Sequence, residues 1–220
     1  MKRFSLRYTL STYRLDQLYL PAAFWILFVV ICLFRGTPEY GRDMARAYLG
    51  AVVPLIGGFM AAYAILDDPA LELRFAAPAR AERLLIERLG LIFAVQAICA
   101  LTFQAFVLAL GADLSPVGNV FGVQLSWLIP TLALMALGCM GSLLAAQTMT
   151  GAFLAGLIWL IELLARGWLA RNNGKYILVF MGALMPDHPD LIANQITLSA
   201  LSIVFLLAAW ALLHRQERYI

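Results

Sequence analysis

The sequence predicts an all-α integral membrane protein with six transmembrane helices, and its composition is the first reason. Of its 220 residues, 63% are hydrophobic and only 13% are charged, whereas soluble domains have about 45–50% apolar and about 25% charged residues. Helices that cross a hydrocarbon core of about 30 Å need about 20 apolar residues. Six stretches reach that length without the two-residue alternation of membrane strands: 18–34, 47–66, 89–110, 123–146, 150–169 and 194–213.

The basic N-terminal stretch MKRFSLRYTLSTYR is followed by the first apolar run, an order also found in signal peptides. No small-residue cleavage site follows that run, so we interpret it as a retained first span. The sequence has no internal repeat or low-complexity tract. We therefore treat residues 1–220 as a single transmembrane domain.

The distribution of Lys and Arg predicts the orientation in the membrane. If both termini lie on one side, that side holds ten of the 16 Lys and Arg residues, and the other side holds six. Cytoplasmic loops carry an excess of these residues. We therefore expect a multi-pass protein of the plasma or inner membrane, with both termini and residues 67–88 in the cytoplasm and residues 170–193 external.

The long connection 170–193 includes the stretch YILVFMGALM, which is apolar but too short to cross the membrane. We expect it to form a re-entrant or interfacial element. Three polar residues that follow it, Asp187, His188 and Asp190, could form a weak metal site. Because prolines are interspersed among them, a polar loop with turns is the favoured interpretation, and no metal is expected.

The connection DDPALELRFAAPARAERLLIERL, residues 67–89, holds nine of the chain's 29 charged residues. Asp68, which is followed by proline, is suited to begin a helix. Pro78 should end or sharply bend that helix after about two turns. Arg83 and Glu87 can then pair at i,i+4 on a second helix. The pattern predicts two short helices in an elbow, which we call the coupling elbow (residues 67–88).

Two large apolar residues, Leu71 and Phe75, lie one turn apart on the first helix of the coupling elbow. This helix could rest on lipid headgroups, with its arginines touching anionic lipid. It could equally dock a soluble partner. Composition alone does not separate these two readings.

The pattern of the coupling elbow resembles that of the type-2 ABC transporter permease family. In both, an acidic pair and a short helix are followed by proline, basic residues and a Leu-Leu run that enters the third of six spans. Members also have an amphipathic helix before the first span, which would correspond to residues 3–16, where Arg3, Arg7 and Arg14 share one face. A long external connection with short re-entrant helices and a short basic tail, here HRQERYI, complete the resemblance.

The resemblance implies that the chain is the permease subunit of an ATP-driven transporter. It would work with a second permease, identical or homologous, and with separate cytoplasmic ATPase subunits that hold ATP and Mg²⁺. No G-x-x-x-x-G-K-[ST] motif occurs, so no cofactor is expected on this chain. The residues implied to contact the ATPase are Asp68, Leu71, Glu72, Arg74, Phe75, Arg80 and Arg83.

Export of an apolar or amphiphilic cargo is the expected activity, because no charged residues stand out as cavity residues. A net charge of +3 is too small to suggest nucleic acid as a partner; membrane lipid is the expected surrounding. A non-transporting membrane scaffold or assembly factor remains an alternative. A membrane-embedded lipid-processing enzyme is a weaker one, because no catalytic motif or paired-carboxylate site is present.

Four polar residues fall inside predicted spans. Gln96 and Gln104 are eight residues apart and share a face, so they could line a path between two copies or hydrogen-bond to a neighbouring helix. Glu162 and Arg166 are one turn apart. They could sense substrate or carry a proton, but we favour an ion pair that matters mainly for folding.

Small residues and prolines inside the spans predict close and bent helix packing. Gly57 and Gly58 are each followed four residues later by alanine, and Gly138 and Gly141 add a second close-approach spot. Pro54 and Pro130 are expected to bend their spans. The three cysteines are interpreted as small core residues, because they show no metal-site or disulfide spacing: Cys32, Cys99 and Cys139.

The orientation can be tested with single cysteines in a cysteine-free background. A membrane-impermeant thiol reagent should label a cysteine at Asn173 from outside the cell. It should reach cysteines at Ser5 and Gln216 only after permeabilisation. External labelling of either terminal position would refute the predicted orientation.

Overall fold

The computed structural model describes residues 16–67 and 81–214. Within these ranges the chain is all-helical and has no strands, and six helices are long and apolar enough to cross a membrane. The all-α class and the six apolar helices are therefore confirmed, and they fit a multi-pass membrane protein. The helices are α1 (Asp16–Arg35), α2 (Pro38–Tyr63), α3 (Ala81–Ala109), α4 (Val120–Ala145), α5 (Thr148–Arg171) and α6 (Leu191–Leu213).

Several predicted features lie outside the described residues. They are the N-terminal helix predicted over residues 3–16, the basic tail after His214 and most of the coupling elbow. The elbow residues concerned are Asp68, Leu71, Glu72, Arg74, Phe75 and Arg80. Their assignment to ATPase contact stays a prediction from the sequence.

Two helices begin before the apolar stretches that predicted them. The stretch predicted from residue 47 begins as a helix at Pro38, and the one predicted from residue 89 begins at Ala81. Both extensions carry several charged residues, so an apolar stretch alone does not include them. In the first extension Gly41 and Ala45 are buried, and its charged residues occupy other faces.

Helix α4 occupies the centre of the bundle and packs against α2, α5 and α6, and α2 also packs against α5. The apolar windows of α2 and α4 are 61% and 67% buried, whereas each of the other four is buried to a third or less. Helices α1 and α3 pack beside α2. The bundle thus has two interior helices, surrounded by helices with long exposed apolar faces.

Glycine allows the backbones of α2, α4 and α5 to meet. A Cβ atom added at Gly138 of α4 would overlap the carbonyl oxygen of Gly58 in α2. A Cβ atom at Gly151 of α5 would overlap the carbonyl oxygen of Gly138 and lie 2.6 Å from the Ser142 nitrogen. Small residues at such crossings permit close contact between membrane helices, as the spacing of glycine and alanine predicted.

A π-helical turn, Tyr48–Val52, interrupts α2 just before Pro54. The Val53 N–H donates to the Tyr48 carbonyl, five residues back. Proline has no N–H and its ring crowds the preceding turn, and a wider turn is one way for a helix to accommodate this. The Ala51 carbonyl in this turn accepts a hydrogen bond from the indole Nε1 of Trp159, at 2.9 Å. Helix α5 therefore fixes the irregular part of α2.

We expect Gly138→Ala to destabilise the bundle by about 2 kcal/mol, because overpacking a tight contact typically costs 1–3 kcal/mol. Gly90→Ala on α3 is the matched control, because nothing lies within 4 Å of its added Cβ; alanine there should be neutral or stabilising. Thermal unfolding in detergent measures both. Equal melting temperatures for the two variants would contradict the close approach at Gly138.

Candidate functional site

A buried segment that is helical only in its second half lies between α5 and α6. After the 3-10 turn Asn173–Tyr176 the chain enters the bundle, and a short helix, Met181–Leu184, follows. Residues 178–183, which we call the buried segment, are each at most 3% exposed where their side chains are apolar. The sequence predicted a re-entrant or interfacial element here. The structure buries residues 178–183 of this stretch but leaves Ile177 and Leu184 exposed, and a re-entrant or interfacial position in the membrane stays a prediction.

The buried segment packs against three helices. The Phe180 ring meets the Trp159 indole of α5 edge-on, with centroids 5.8 Å apart. A Cβ atom at Gly182 would lie 3.0 Å from the Cα atom of Ser126 in α4. A Cβ atom at Gly50, in the π-helical turn of α2, would overlap the Ala183 side chain. The buried segment therefore fits between these helices because the residues at the contacts, such as Gly50 and Gly182, are small.

Two buried polar side chains satisfy backbone groups of this region. The Val179 N–H donates to Glu162 Oε2 of α5 at 2.6 Å. Asn194 of α6 donates through Nδ2 to the carbonyl oxygens of Lys175, at 2.8 Å, and Leu178, at 3.0 Å. Non-helical backbone at membrane depth is tolerated only where protein or a water-filled cavity satisfies it. Glu162 and Asn194 therefore serve the backbone of the connection.

The ion pair expected between Glu162 and Arg166 does not form. Glu162 is 5% exposed and faces the buried segment, whereas Arg166 is exposed. No bridge within 4.0 Å joins them. Glu162 and Arg166 are one helical turn apart, but the Glu162 carboxylate accepts a hydrogen bond from the buried Val179 N–H and not from Arg166. The expectation failed because that donor is 17 residues away in sequence.

An ion pair lies between the start and end of the connection. Lys175 Nζ is 2.6 Å from Asp190 Oδ2. The hydrogen bond from Lys175 lowers the pKa of Asp190, and the same bond raises the pKa of Lys175. The pair therefore persists across neutral pH and is lost as pH falls through the lowered pKa of Asp190. His188 Nδ1 accepts from the Asp190 N–H at 3.1 Å.

The weak metal candidate formed by Asp187, His188 and Asp190 is not assembled. In the ranges that the structure describes, no group of three or more His, Cys, Asp and Glu side chains is placed to hold a metal ion. Asp190 is engaged by Lys175 instead.

Gln96 and Gln104 are buried and hydrogen-bond to neighbouring helices, which was one of their two predicted roles. Gln96 Nε2 lies 3.1 Å from the Met60 sulfur of α2. Gln104 exchanges amide hydrogen bonds with Gln124 of α4, at 2.7 and 3.4 Å. The Trp127 indole also donates to Gln124, at 2.8 Å. Gln104, Gln124 and Trp127 thus satisfy one another within one chain, and a path between two copies stays a prediction.

Residues 81–88 of the coupling elbow form the start of α3. Arg83 Nε and Glu87 Oε1 are 2.6 Å apart, so the i,i+4 pair that their spacing indicated is formed. Arg83 is exposed, whereas Leu85 and Leu89 of the same turns are buried. The two leucines belong to a core cluster that also includes Ile65, in the turn that follows α2.

No family model matches this chain, and no curated protein or solved structure matches it. The resemblance to type-2 ABC permeases therefore depends on the residue pattern of the coupling elbow and on the order of the spans.

We expect Glu162→Ala to lower the stability of the protein by about 1–3 kcal/mol, since it leaves the buried Val179 N–H without an acceptor. Glu162→Gln keeps an acceptor oxygen of similar reach and should cost less. Arg166→Met should be close to neutral. Thermal unfolding in detergent ranks the three variants. A loss for Arg166→Met as large as that for Glu162→Ala would show that an ion pair does exist.

Proposed function

We propose that this chain is the permease subunit of an ATP-driven ABC transporter that exports an apolar or amphiphilic cargo. It works as a pair of permeases, each contacting a separate cytoplasmic ATPase subunit through the coupling elbow. Both termini lie in the cytoplasm, on the Lys and Arg distribution. The ATPase holds ATP and Mg²⁺, and this chain supplies the membrane path and the lever.

The observation that carries this proposal is the continuity of α3. It runs as one helix of 29 residues from Ala81 to Ala109, which is about 43 Å at 1.5 Å per residue. A hydrocarbon core is about 30 Å thick. The helix is therefore longer than the membrane needs, and it begins within the coupling elbow. A push on the elbow would move a rigid rod that crosses the membrane.

The first turns of α3 are well placed to pass that motion to other helices. Leu85 and Leu89 pack in one apolar cluster with Met60 of α2, Leu143 of α4 and Leu213 of α6. Close-packed side chains transmit displacement because they leave little free volume. Movement of the elbow would thus shift α3 against the cytoplasmic ends of α2, α4 and α6.

A cargo path between two copies of the chain is consistent with the polar contacts inside each bundle. Gln104, Gln124 and Glu162 each hydrogen-bond within the chain, so they favour a sealed interior in a single subunit. The outer faces are apolar: exposed residues on α1 include Ile26, Leu33 and Phe34. Such faces suit contact with lipid, a second permease or an apolar cargo.

In the coupling elbow, Leu71 and Phe75 would fill an apolar slot of the ATPase. Asp68, Glu72, Arg74 and Arg80 would form a polar rim. Buried anchors of this kind contribute about 2 kcal/mol or more each, whereas rim charges contribute less. The alternative, an elbow that rests on lipid, requires no ATPase contact at these residues.

We predict that the double variant Leu71→Ala, Phe75→Ala abolishes vanadate-sensitive ATP hydrolysis that copurifies with the tagged chain. Arg74→Glu, at the rim, should reduce it only partly. Copurified hydrolysis that is unchanged in the double variant would refute docking at the elbow. Absence of any copurifying P-loop ATPase with the unaltered chain would favour the scaffold alternative.

We further predict that Gly90→Pro on α3 uncouples ATP hydrolysis from transport, because proline removes a helical hydrogen bond and kinks the helix. The ATPase should stay bound, since Gly90 is not among the residues expected to contact it, but transport should be lost. Gly90→Ala is the matched control. Nothing lies within 4 Å of its added Cβ, so it should transport normally. Normal transport by the proline variant would contradict the role of α3 continuity.

A further inference from the structure

We propose that the end of α5 holds one anionic phospholipid, with the phosphate in a cationic depression and an acyl chain along the exposed face of the helix. The depression has a volume of about 420 Å³ and lies where α5 meets the turn Asn173–Tyr176. Its lining residues are Trp168, Arg171, Asn172, Asn173, Gly174 and Lys175. The proposal needs only insertion in a membrane and does not depend on transport.

An apolar face of α5 leads directly to this depression. Leu157, Leu164 and Arg171 are spaced by seven residues, about two helical turns, so all three lie on one face. Phe153 and Trp168 share that face and are exposed to 69% and 67%. Along this face the order is apolar residues, then an interfacial tryptophan, then a cation. A phospholipid has the matching order, from its acyl chain to its phosphate.

The depression offers hydrogen-bond donors suited to phosphate. Arg171 is exposed, and its planar guanidinium can bind two phosphate oxygens at once. Lys175 uses one of its three ammonium protons on Asp190, at 2.6 Å, which leaves others for a ligand. The Asn173 amide adds a neutral donor.

The lining residues also favour an anionic lipid over other ligands. None of the six is acidic, and the neighbouring carboxylate of Asp190 is already bound to Lys175 at 2.6 Å, so a choline or ethanolamine group would find no unpaired carboxylate among the lining residues. Free phosphate could use the same donors, but it would leave the adjoining apolar face unused. A lipid with a net negative headgroup uses both parts of the site.

The test is native mass spectrometry of the full-length chain in detergent with equimolar phosphatidylglycerol and phosphatidylcholine. The unaltered protein should retain phosphatidylglycerol preferentially. Arg171→Gln should lower that retention about fivefold, the effect expected of one basic residue near an anionic headgroup. Arg166→Gln is the matched control: it makes the same charge change on the same helix, about 140° around from Arg171, and should leave retention unchanged.

Asn173→Asp provides a second variant, because it places a negative charge in the depression and should also lower retention. Equal retention of the two lipids by the unaltered protein would overturn the proposal. So would equal losses for Arg171→Gln and Arg166→Gln, which would indicate a general effect of charge. Displacement of phosphatidylglycerol by millimolar inorganic phosphate would assign the depression to a free anion and reject the lipid. Thermal unfolding checks that each variant is folded.

Discussion

The arrangement around the buried segment depends on one constraint: backbone groups that leave a helix inside an apolar bundle must still be hydrogen-bonded. Glu162 accepts the Val179 N–H, and Asn194 donates to the carbonyl oxygens of Lys175 and Leu178. The two side chains come from α5 and α6, so satisfying the segment also ties these helices to it. A buried polar group left without a partner costs about 1–3 kcal/mol. This requirement explains why Glu162 of α5 and Asn194 of α6 both face the connection between their helices.

A second departure from regular helix, the π-helical turn of α2, lies next to the buried segment. The π-helical turn of α2 is bound at Ala51 by the indole of Trp159, and Trp159 also packs on Phe180 of the buried segment. One side chain of α5 thus contacts both departures from regular helix. Glycines at the α2–α4–α5 crossing bring these helices close enough for such contacts. In the proposed transporter, this well-fixed region would act as the support against which α3 moves.

The six long apolar helices could be predicted from sequence because a continuous apolar stretch of about 20 residues is recognisable by itself. The starts of α2 and α3 could not, because turns with charged residues such as Arg42 and Arg83 extend each helix beyond its apolar stretch. The Glu162–Arg166 pair was a reasonable expectation from local spacing. It failed because the true partner of Glu162 comes from the buried segment. Asn194 was missed altogether, since a single asparagine near a span end gives no signal of the carbonyl groups it will meet.

The contacts of the small residues could also be predicted only in part. Their spacing predicted close packing, but it did not say that Gly58, Gly138 and Gly151 meet at one crossing. Nor did it say that Gly50 and Gly182 make room for the buried segment. Contacts between helices that are distant in sequence depend on the arrangement of the whole bundle. Patterns within one helix predict that a close contact will form, but they do not identify its partner.

Residues 178–183 form a fixed part of the bundle interior, and Glu162 helps to hold them there. The rigidity of this segment can be measured by hydrogen–deuterium exchange of the protein in lipid nanodiscs. We expect the amides of this segment to exchange slowly, as those of α4 do, and to exchange faster in Glu162→Ala than in Glu162→Gln. Exchange as fast as that of the connection 111–119 in the unaltered protein would contradict the claim.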